Sequence, residues 1–253
     1  MSGYEQSASL YDLFDGKANI DFFLHYAAQV EEILDIGAGT GRIAIPLAER
    51  GVRVVCVEPS PAMRQEFRKK LEFNPELNHN IELKPGDAAS FNLGRTFPVA
   101  FLSGVFDHFL EPDQRLAALR NTVHHLEPGG VLVFDVFLGL MTASPLRAAG
   151  RVRLGRREHR RFVGRRILPD DRVAVKLVYE TYVDGKIVER IEEESLVGVI
   201  TRSEVHRVLE KVGARVSREF SDYDWSPYHE GNDLLIIEAI YRPGSVPHRG
   251  LEG

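Results

Sequence analysis

Glu32-Ile33-Leu34-Asp35-Ile36-Gly37-Ala38-Gly39-Thr40-Gly41-Arg42 is the stretch whose reading decides the fold. An apolar run too short for a helix, Ile33 to Ile36, meets three glycines at alternate positions, and the helix-compatible segment Ile43 to Arg50 follows. The order is strand, tight turn, helix. Glycines accept positive φ and, lacking Cβ, let a ligand lie against the backbone beside a helix N-terminus. The stretch therefore predicts an α/β sheet with a nucleotide-type cofactor at its first turn.

Which cofactor depends on the residues around the turn. Shifted by one glycine, Gly39-Thr40-Gly41-Arg42-Ile43-Ala44 also fits the dinucleotide pattern. Glu58 ends the next apolar run, Val52 to Val57, about 20 residues past Gly37, where an acid accepts hydrogen bonds from both ribose hydroxyls. Nicotinamide enzymes share that acid. Asp87, after the third apolar segment Ile81-Glu82-Leu83, can accept from an adenine amino group, a contact a dinucleotide site does not generally need.

The ordered series Leu34 to Arg42, Val57-Glu58-Pro59-Ser60-Pro61-Ala62-Met63, Gly86-Asp87 and Leu126-Glu127-Pro128-Gly129-Gly130-Val131-Leu132-Val133 resembles the motifs of class I S-adenosylmethionine-dependent methyltransferases. Leu10-Tyr11-Asp12-Leu13-Phe14 and the Gly41 to Ala48 run are similar to small-molecule members, including bacterial sugar N-methyltransferases. The resemblance implies a doubly wound, Rossmann-like sheet of seven strands, and methyl transfer to a nitrogen or oxygen of a small molecule. It implies S-adenosylmethionine bound over Tyr11, Asp35, Gly37, Ala38, Gly39, Gly41, Arg42, Glu58, Pro59, Ser60, Met63, Asp87, Ala88, Ser103 and Gly104. Residues 1–30 then form a helical lid with Tyr11 toward the reacting methyl, and 31–142 with 201–242 form the core. A nicotinamide oxidoreductase would leave Asp87 and the Pro-Gly-Gly unexplained, and a non-catalytic cofactor-binding subunit would keep the glycines alone.

Composition sets the frame for these readings. At 253 residues and 43% hydrophobic content the chain can bury a full core. No apolar run approaches the ~20 residues of a membrane helix, and the amino terminus lacks a signal-peptide pattern, so a cytoplasmic location is expected. The single cysteine, Cys56, lies inside the second apolar run and reads as a buried structural thiol. No cysteine cluster or spaced His/Asp/Glu set predicts a required metal. The net charge of −5 argues against a protein that coats nucleic acid broadly.

Pro98 to Ser103 reads as the fourth strand, so Gly104-Val105-Phe106-Asp107-His108 leaves its carboxyl end, where ligands sit in open α/β sheets. His108 and Asp107 are therefore the acid–base candidates, with packing or helix capping as their competing roles. The fifth strand, Val131 to Phe137, follows Pro-Gly-Gly. Residues 143–200 then read as an antiparallel insertion with strands at 160–168, 172–183 and 186–201 and a turn at Asp184-Gly185. A two-residue turn pairs Tyr182 with Ile187, Val178 with Ile191, Lys176 with Glu193 and, unfavourably, Glu180 with Glu189.

Nine arginines crowd the segment from Arg147 to Arg166. They predict either neutralisation by Glu189, Glu192, Glu193 and Glu194, within the insertion or across a homodimer, or an RNA-binding footprint. Beyond a last helix at 203–212, the loop between the two terminal strands holds Tyr223, Trp225, Tyr228 and His229, which either wall the acceptor pocket or pack on the surface. Residues 243–253 read as a frayed tail.

Overall fold

A strand buried on both faces must be apolar at successive positions, and β1 (Glu32–Ile36) places Ile33 and Leu34 in two different core clusters on opposite sides of one sheet. The computed structural model describes residues 5–14, 19–169 and 172–244; Tyr4 and the end of the tail, 245–253, lie outside them. Before β1 come α1 (Ala8–Phe14) and α2 (Ile20–Ala27). After it come α3 (Ala44–Ala48), β2 (Arg53–Glu58), α4 (Pro61–Phe73), β3 (Ile81–Pro85), β4 (Phe97–Leu102), α5 (Pro112–His124) and β5 (Leu126–Phe137). Four further strands follow: β6 (Ser144–Leu154), β7 (Arg157–Leu168), β8 (Arg172–Val183) and β9 (Lys186–Gly198). The described chain closes with α6 (Arg202–Lys211), β10 (Ala214–Phe220) and β11 (Leu234–Tyr241).

The main sheet has seven strands in the order β10-β11-β5-β4-β1-β2-β3, all running in the same direction except β11. After β3 the chain crosses back to lay β4 on the free side of β1. That reversal opens a crevice between the carboxyl ends of β1 and β4, the place where such sheets bind ligands. Residues of α2, α3 and α4 cover one face, with Phe22, Phe23, Leu47 and Phe67; α5 and α6 cover the other with Leu119, Val123, Val205 and Leu209. Ser60 caps α4 by accepting from the Met63 amide at 3.2 Å, Pro61 follows, and Met63, Phe67 and Leu71 form its buried stripe. Pro46 falls inside α3, which is only five residues long and starts at Ala44. Cys56 is fully buried, and burial pushes its thiol well above the usual range.

The second sheet, β6-β7-β8-β9, is antiparallel and differs from its sequence reading in two ways. β6 is an additional strand, and β7 begins at Arg157 rather than Arg160. Its residues are almost all exposed and rich in arginine, so it carries no hydrophobic alternation; this is a charged edge strand. The hairpin register also changes. Tyr182 pairs with Ile187, but Thr181 pairs with Glu189, so Val188 is an extra residue in a bulge. The shift puts Val178 opposite Glu192, Lys176 opposite Glu194 and Glu180 opposite Arg190. Glu180 is buried, and its carboxylate meets Arg190 at 2.5 Å and the Tyr182 hydroxyl at 2.6 Å instead of another carboxylate. The bulge thus exchanges a like-charge pair for a salt bridge.

Candidate active site

The three glycines of the first turn divide the work. All have positive φ, +73° at Gly37, +57° at Gly39 and +85° at Gly41. A Cβ on Gly37 would stand 2.3 Å from Val105 Cγ2, and one on Gly41 would stand 2.5 Å from the Phe67 ring. At Gly39 the nearest atom is a backbone oxygen 4.0 Å away. Gly37 and Gly41 are therefore needed by packing from behind, and Gly39 faces open space. The cleft in front of it is lined on this side by Asp35, Ala38, Thr40, Arg42, Glu58, Ser60 and Met63.

Two acids frame that cleft. Glu58, at the end of β2, accepts from the Gly39 amide at 2.9 Å and the Ser60 amide at 2.8 Å. Burial raises its pKa, and those two amides oppose the rise. Each oxygen keeps a second acceptor position for a ligand hydroxyl. Asp35, at the end of β1, is 2% exposed, and its Oδ2 has no hydrogen-bond partner. Burial pushes Asp35 up to about 7, with Glu58 adding to the rise and Arg42 opposing it. A buried carboxylate oxygen without a donor is costly. Arg42 is itself anchored by the Asn19 side chain at 2.7 Å.

A second recess shares Gly37, Val105 and His108 with the cleft and continues over Pro59, Asp87, Ala88 and Ala89. Asp87 is exposed there, and its Oδ1 accepts from the Ala89 amide at 2.9 Å, which sets the turn after β3.

Across the crevice, the end of β4 supplies Ser103, Gly104 and a 3-10 turn, Phe106–His108. His108 lines both recesses, with Nδ1 3.4 Å from Ser195 Oγ of β9. Burial lowers its pKa from the usual 6.5, opposed by a backbone hydrogen bond at Leu196, so the ring is neutral at pH 7 and can take a proton. Asp107 points elsewhere. It is absent from both linings, and its two oxygens lie 3.3 and 3.2 Å from the Phe137 amide. Burial, then the neighbouring Asp135 carboxylate, pushes Asp107 up to about 8.

Asp135 has no counterpart among the sequence candidates. It accepts from Ser103 Oγ at 2.7 Å, the Gly104 amide at 2.6 Å and the Tyr223 hydroxyl, and so holds the loop that leaves β4. Its signal was present: a lone acid inside the apolar run Val131 to Phe137. Buried Arg115 likewise clamps the carbonyls of Phe109 at 2.8 Å and Leu110 at 3.1 Å, directly after His108.

With this geometry in place, the chain can be set beside known proteins. Residues 34–132 match the family profile described as a methyltransferase domain. These residues form a methyltransferase domain. The cypemycin N-terminal methyltransferase of a Streptomyces species is 35% identical over 104 residues, covering 41% of this chain and 40% of that protein. The chain thus matches less than half the length of that curated relative. An S-adenosylmethionine-dependent methyltransferase from Clostridium acetobutylicum superposes with a TM-score of 0.78 at 17% identity, covering 94% of this chain and 99% of that one. An amino pentose methyltransferase from Micromonospora echinaspora, involved in calicheamicin biosynthesis, reaches 0.71 at 21% identity, over 93% and 95%. At these identities the superpositions establish the shared fold.

The remaining sequence candidates fall on both sides of the cleft wall. Tyr11 of α1 lines the cleft, together with Glu5, which the sequence had not singled out. α1 is held to the glycine turn by Asp12, which accepts from Thr40 Oγ1 at 2.6 Å and pairs with Lys70. Tyr223, Trp225, Tyr228 and His229 are absent from both linings. Trp225 stacks 4.3 Å from Phe22 and 4.7 Å from His25, covering α2, and Tyr223 sits 5.4 Å from Phe22 while its hydroxyl reaches Asp135. Tyr228 packs under Arg202, and His229 is exposed, its amide donating to Asn232 Oδ1 at 2.7 Å. Apolar rings beside an aromatic helix gain more by packing on it than by standing in an open cleft. Among the described residues, no helix is long and apolar enough to cross a membrane.

Proposed function

We propose that this protein transfers a methyl group from S-adenosylmethionine to the nitrogen of a small amine-bearing acceptor. The observation that carries the reading is the buried, donorless Asp35 Oδ2 beside open Gly39 and the backbone-fixed Glu58. That donor set suits a ligand with both an ammonium and a ribose: Asp35 takes the ammonium, Glu58 the hydroxyls, and Asp87 with Ala88 and Pro59 the adenine in the second recess. When bound, S-adenosylmethionine supplies a methyl group activated by its positively charged sulfur.

The protein's own task is alignment and proton handling. Holding acceptor and donor in line provides much of the rate, because it replaces a bimolecular encounter with a fixed approach. Tyr11, Gly104 and His108 bound the space where the acceptor nitrogen would lie. His108, neutral at pH 7, can receive the proton that the nitrogen releases. The similar proteins named for N-terminal and amino-sugar methylation support nitrogen as the acceptor atom.

The test is calorimetric titration with S-adenosylhomocysteine and, separately, with NAD, on the wild type and Asp35→Asn. Binding of the homocysteine compound that weakens at least about tenfold in the variant, with no NAD binding, is the expected result. NAD binding instead would assign an oxidoreductase, and equal binding to both proteins would remove Asp35 from the site.

A further inference from the structure

Arginines of the second sheet differ by face. Register sets Arg161 beside Tyr179 and Ile191, Val163 beside Leu177 and Glu193, and Arg165 beside Val175 and Ser195, all on one face. This face packs on α1, where Leu10, Leu177 and Tyr179 cluster with Phe14, Val163 and Val175. It also reaches the His108 turn through Ser195. α1 and that turn both line the cleft, so this face backs the two elements that bound it on that side.

On the opposite face the cations are paired. Arg160 meets Glu158 at 2.6 Å, Arg166 meets Glu194 at 3.5 Å, Arg190 meets Glu180 at 2.5 Å and Lys176 meets Glu192 at 2.8 Å. On the α1 face, Arg161 and Arg165 have no carboxylate partner among the described residues, and the Nε of each is buried without an acceptor. Arg161 lies 5.2 Å over the Phe14 ring and bonds to Tyr179. Glu193, the acid nearest on that face, is engaged by the Gln6 amide at 2.6 Å and by Ser7. Both side chains are otherwise partly exposed, and a buried guanidinium N–H without an acceptor is costly unless something else supplies one.

We infer that Arg161 and Arg165 bind an anionic group, carboxylate or phosphate, carried by the acceptor itself. This rests on the methyl-transfer reading and names its substrate class: an amine with an anion at a distance. Arg165 is two strand spacings from Ser195, about 10 Å, so that is roughly the span between the anion and the end of the acceptor near His108. The planar guanidinium fork suits either oxyanion through paired hydrogen bonds.

The test uses the full chain saturated with S-adenosylhomocysteine and titrates inorganic pyrophosphate and, separately, citrate. Four proteins are compared: wild type, Arg161→Gln with Arg165→Gln, Arg165→Lys alone, and Arg160→Gln with Arg166→Gln on the outer face. One or both anions should bind the wild type and the outer-face variant alike, and bind the α1-face double variant about tenfold or more weaker. Arg165→Lys, keeping the charge without the fork, should fall between and guards against misfolding of the double variant. Preference for pyrophosphate assigns a phosphate-bearing acceptor; preference for citrate assigns a carboxylate. Equal anion binding by wild type and both α1-face variants would overturn the inference, as would no small-anion binding, with or without retention on RNA. If the anions bind through Arg161 and Arg165 while S-adenosylhomocysteine does not bind, the anion site stands and the cofactor reading falls.

Discussion

The two sides of the cleft are built in opposite ways. On the cofactor side, Asp35, the three glycines and Glu58 come from one strand, its turn and the next strand, all adjacent in the chain and fixed by parallel pairing of Asp35 with Cys56. On the proposed acceptor side, Tyr11 and His108 come from α1 and the turn after β4, and Ser195, Arg161 and Arg165 stand behind them on two strands of the second sheet. The first arrangement is set by local backbone geometry, so its residue types are constrained one by one. The second is set by how separate elements dock, so the same chemistry can be supplied from several places.

If this contrast is right, the largest effect comes from the packing glycines. Gly41→Ala places a methyl 2.5 Å from the fully buried Phe67 ring at a φ of +85°, and should cost about 2–5 kcal/mol of stability in denaturant unfolding. Gly39→Ala has room, should fold with a loss of only ~1 kcal/mol, and should weaken S-adenosylhomocysteine at least about tenfold. Equal stability losses in the two variants would break the division between packing and ligand-facing glycines.

Asp35→Asn comes next and acts in two directions. In the folded protein Asp35 keeps its proton up to about pH 7, where the unfolded chain has released it from about pH 4, so this group makes the ligand-free protein less stable as pH rises through that window. The variant should melt higher than wild type at pH 8, with the gap closing toward pH 4, while cofactor-product binding falls. A variant that melts lower at pH 8 would show that the carboxylate is satisfied without a ligand.

On the acceptor side, His108→Ala should fold and bind S-adenosylhomocysteine normally. It should lose about a hundredfold in rate on a hydroxyl acceptor and much less on an already neutral amine. Because the folded pKa lies below 6.5, wild-type turnover should fall only as pH drops below that value, and the variant should lack that acid limb. A hundredfold loss on a neutral amine would make His108 an obligatory base.

The smallest effect on turnover is expected of Asp107→Asn. Its carboxyl keeps a proton up to about pH 8 in the folded state, so wild-type stability falls as pH rises from about 4 to 8, and the amide variant should not show that fall. Thermal melting at pH 5 and pH 8 should show a gap that opens with pH, with turnover unchanged. A loss of turnover would return Asp107 to the catalytic site.

Much of this fold was legible because buried parallel strands and glycine turns leave short, ordered signals: the runs Ile33 to Ile36 and Val52 to Val57 and the Ser60-Pro61 cap mark β1, β2 and the start of α4. β6 was not legible, since an exposed, charged edge strand has no buried face to pattern its residues. Nor was the hairpin bulge at Val188, because the preference of Glu180 for Arg190 over Glu189 is a cross-strand effect.

By itself, then, the sequence determined the sheet, the glycine turn and the acids beside it, because neighbours in the chain are neighbours in a strand and its turn. Only the tertiary structure decided that, of the three glycines in the first turn, Gly39 is the one that faces open space, that Asp107 and the Tyr223–His229 loop lie away from the cleft, and that Asp135 holds the β4 loop. It also decided which arginines of the 147–166 run are paired. Each of these depends on which distant element arrives to fill, pair or leave open a given face, and that is a property of docking rather than of local order.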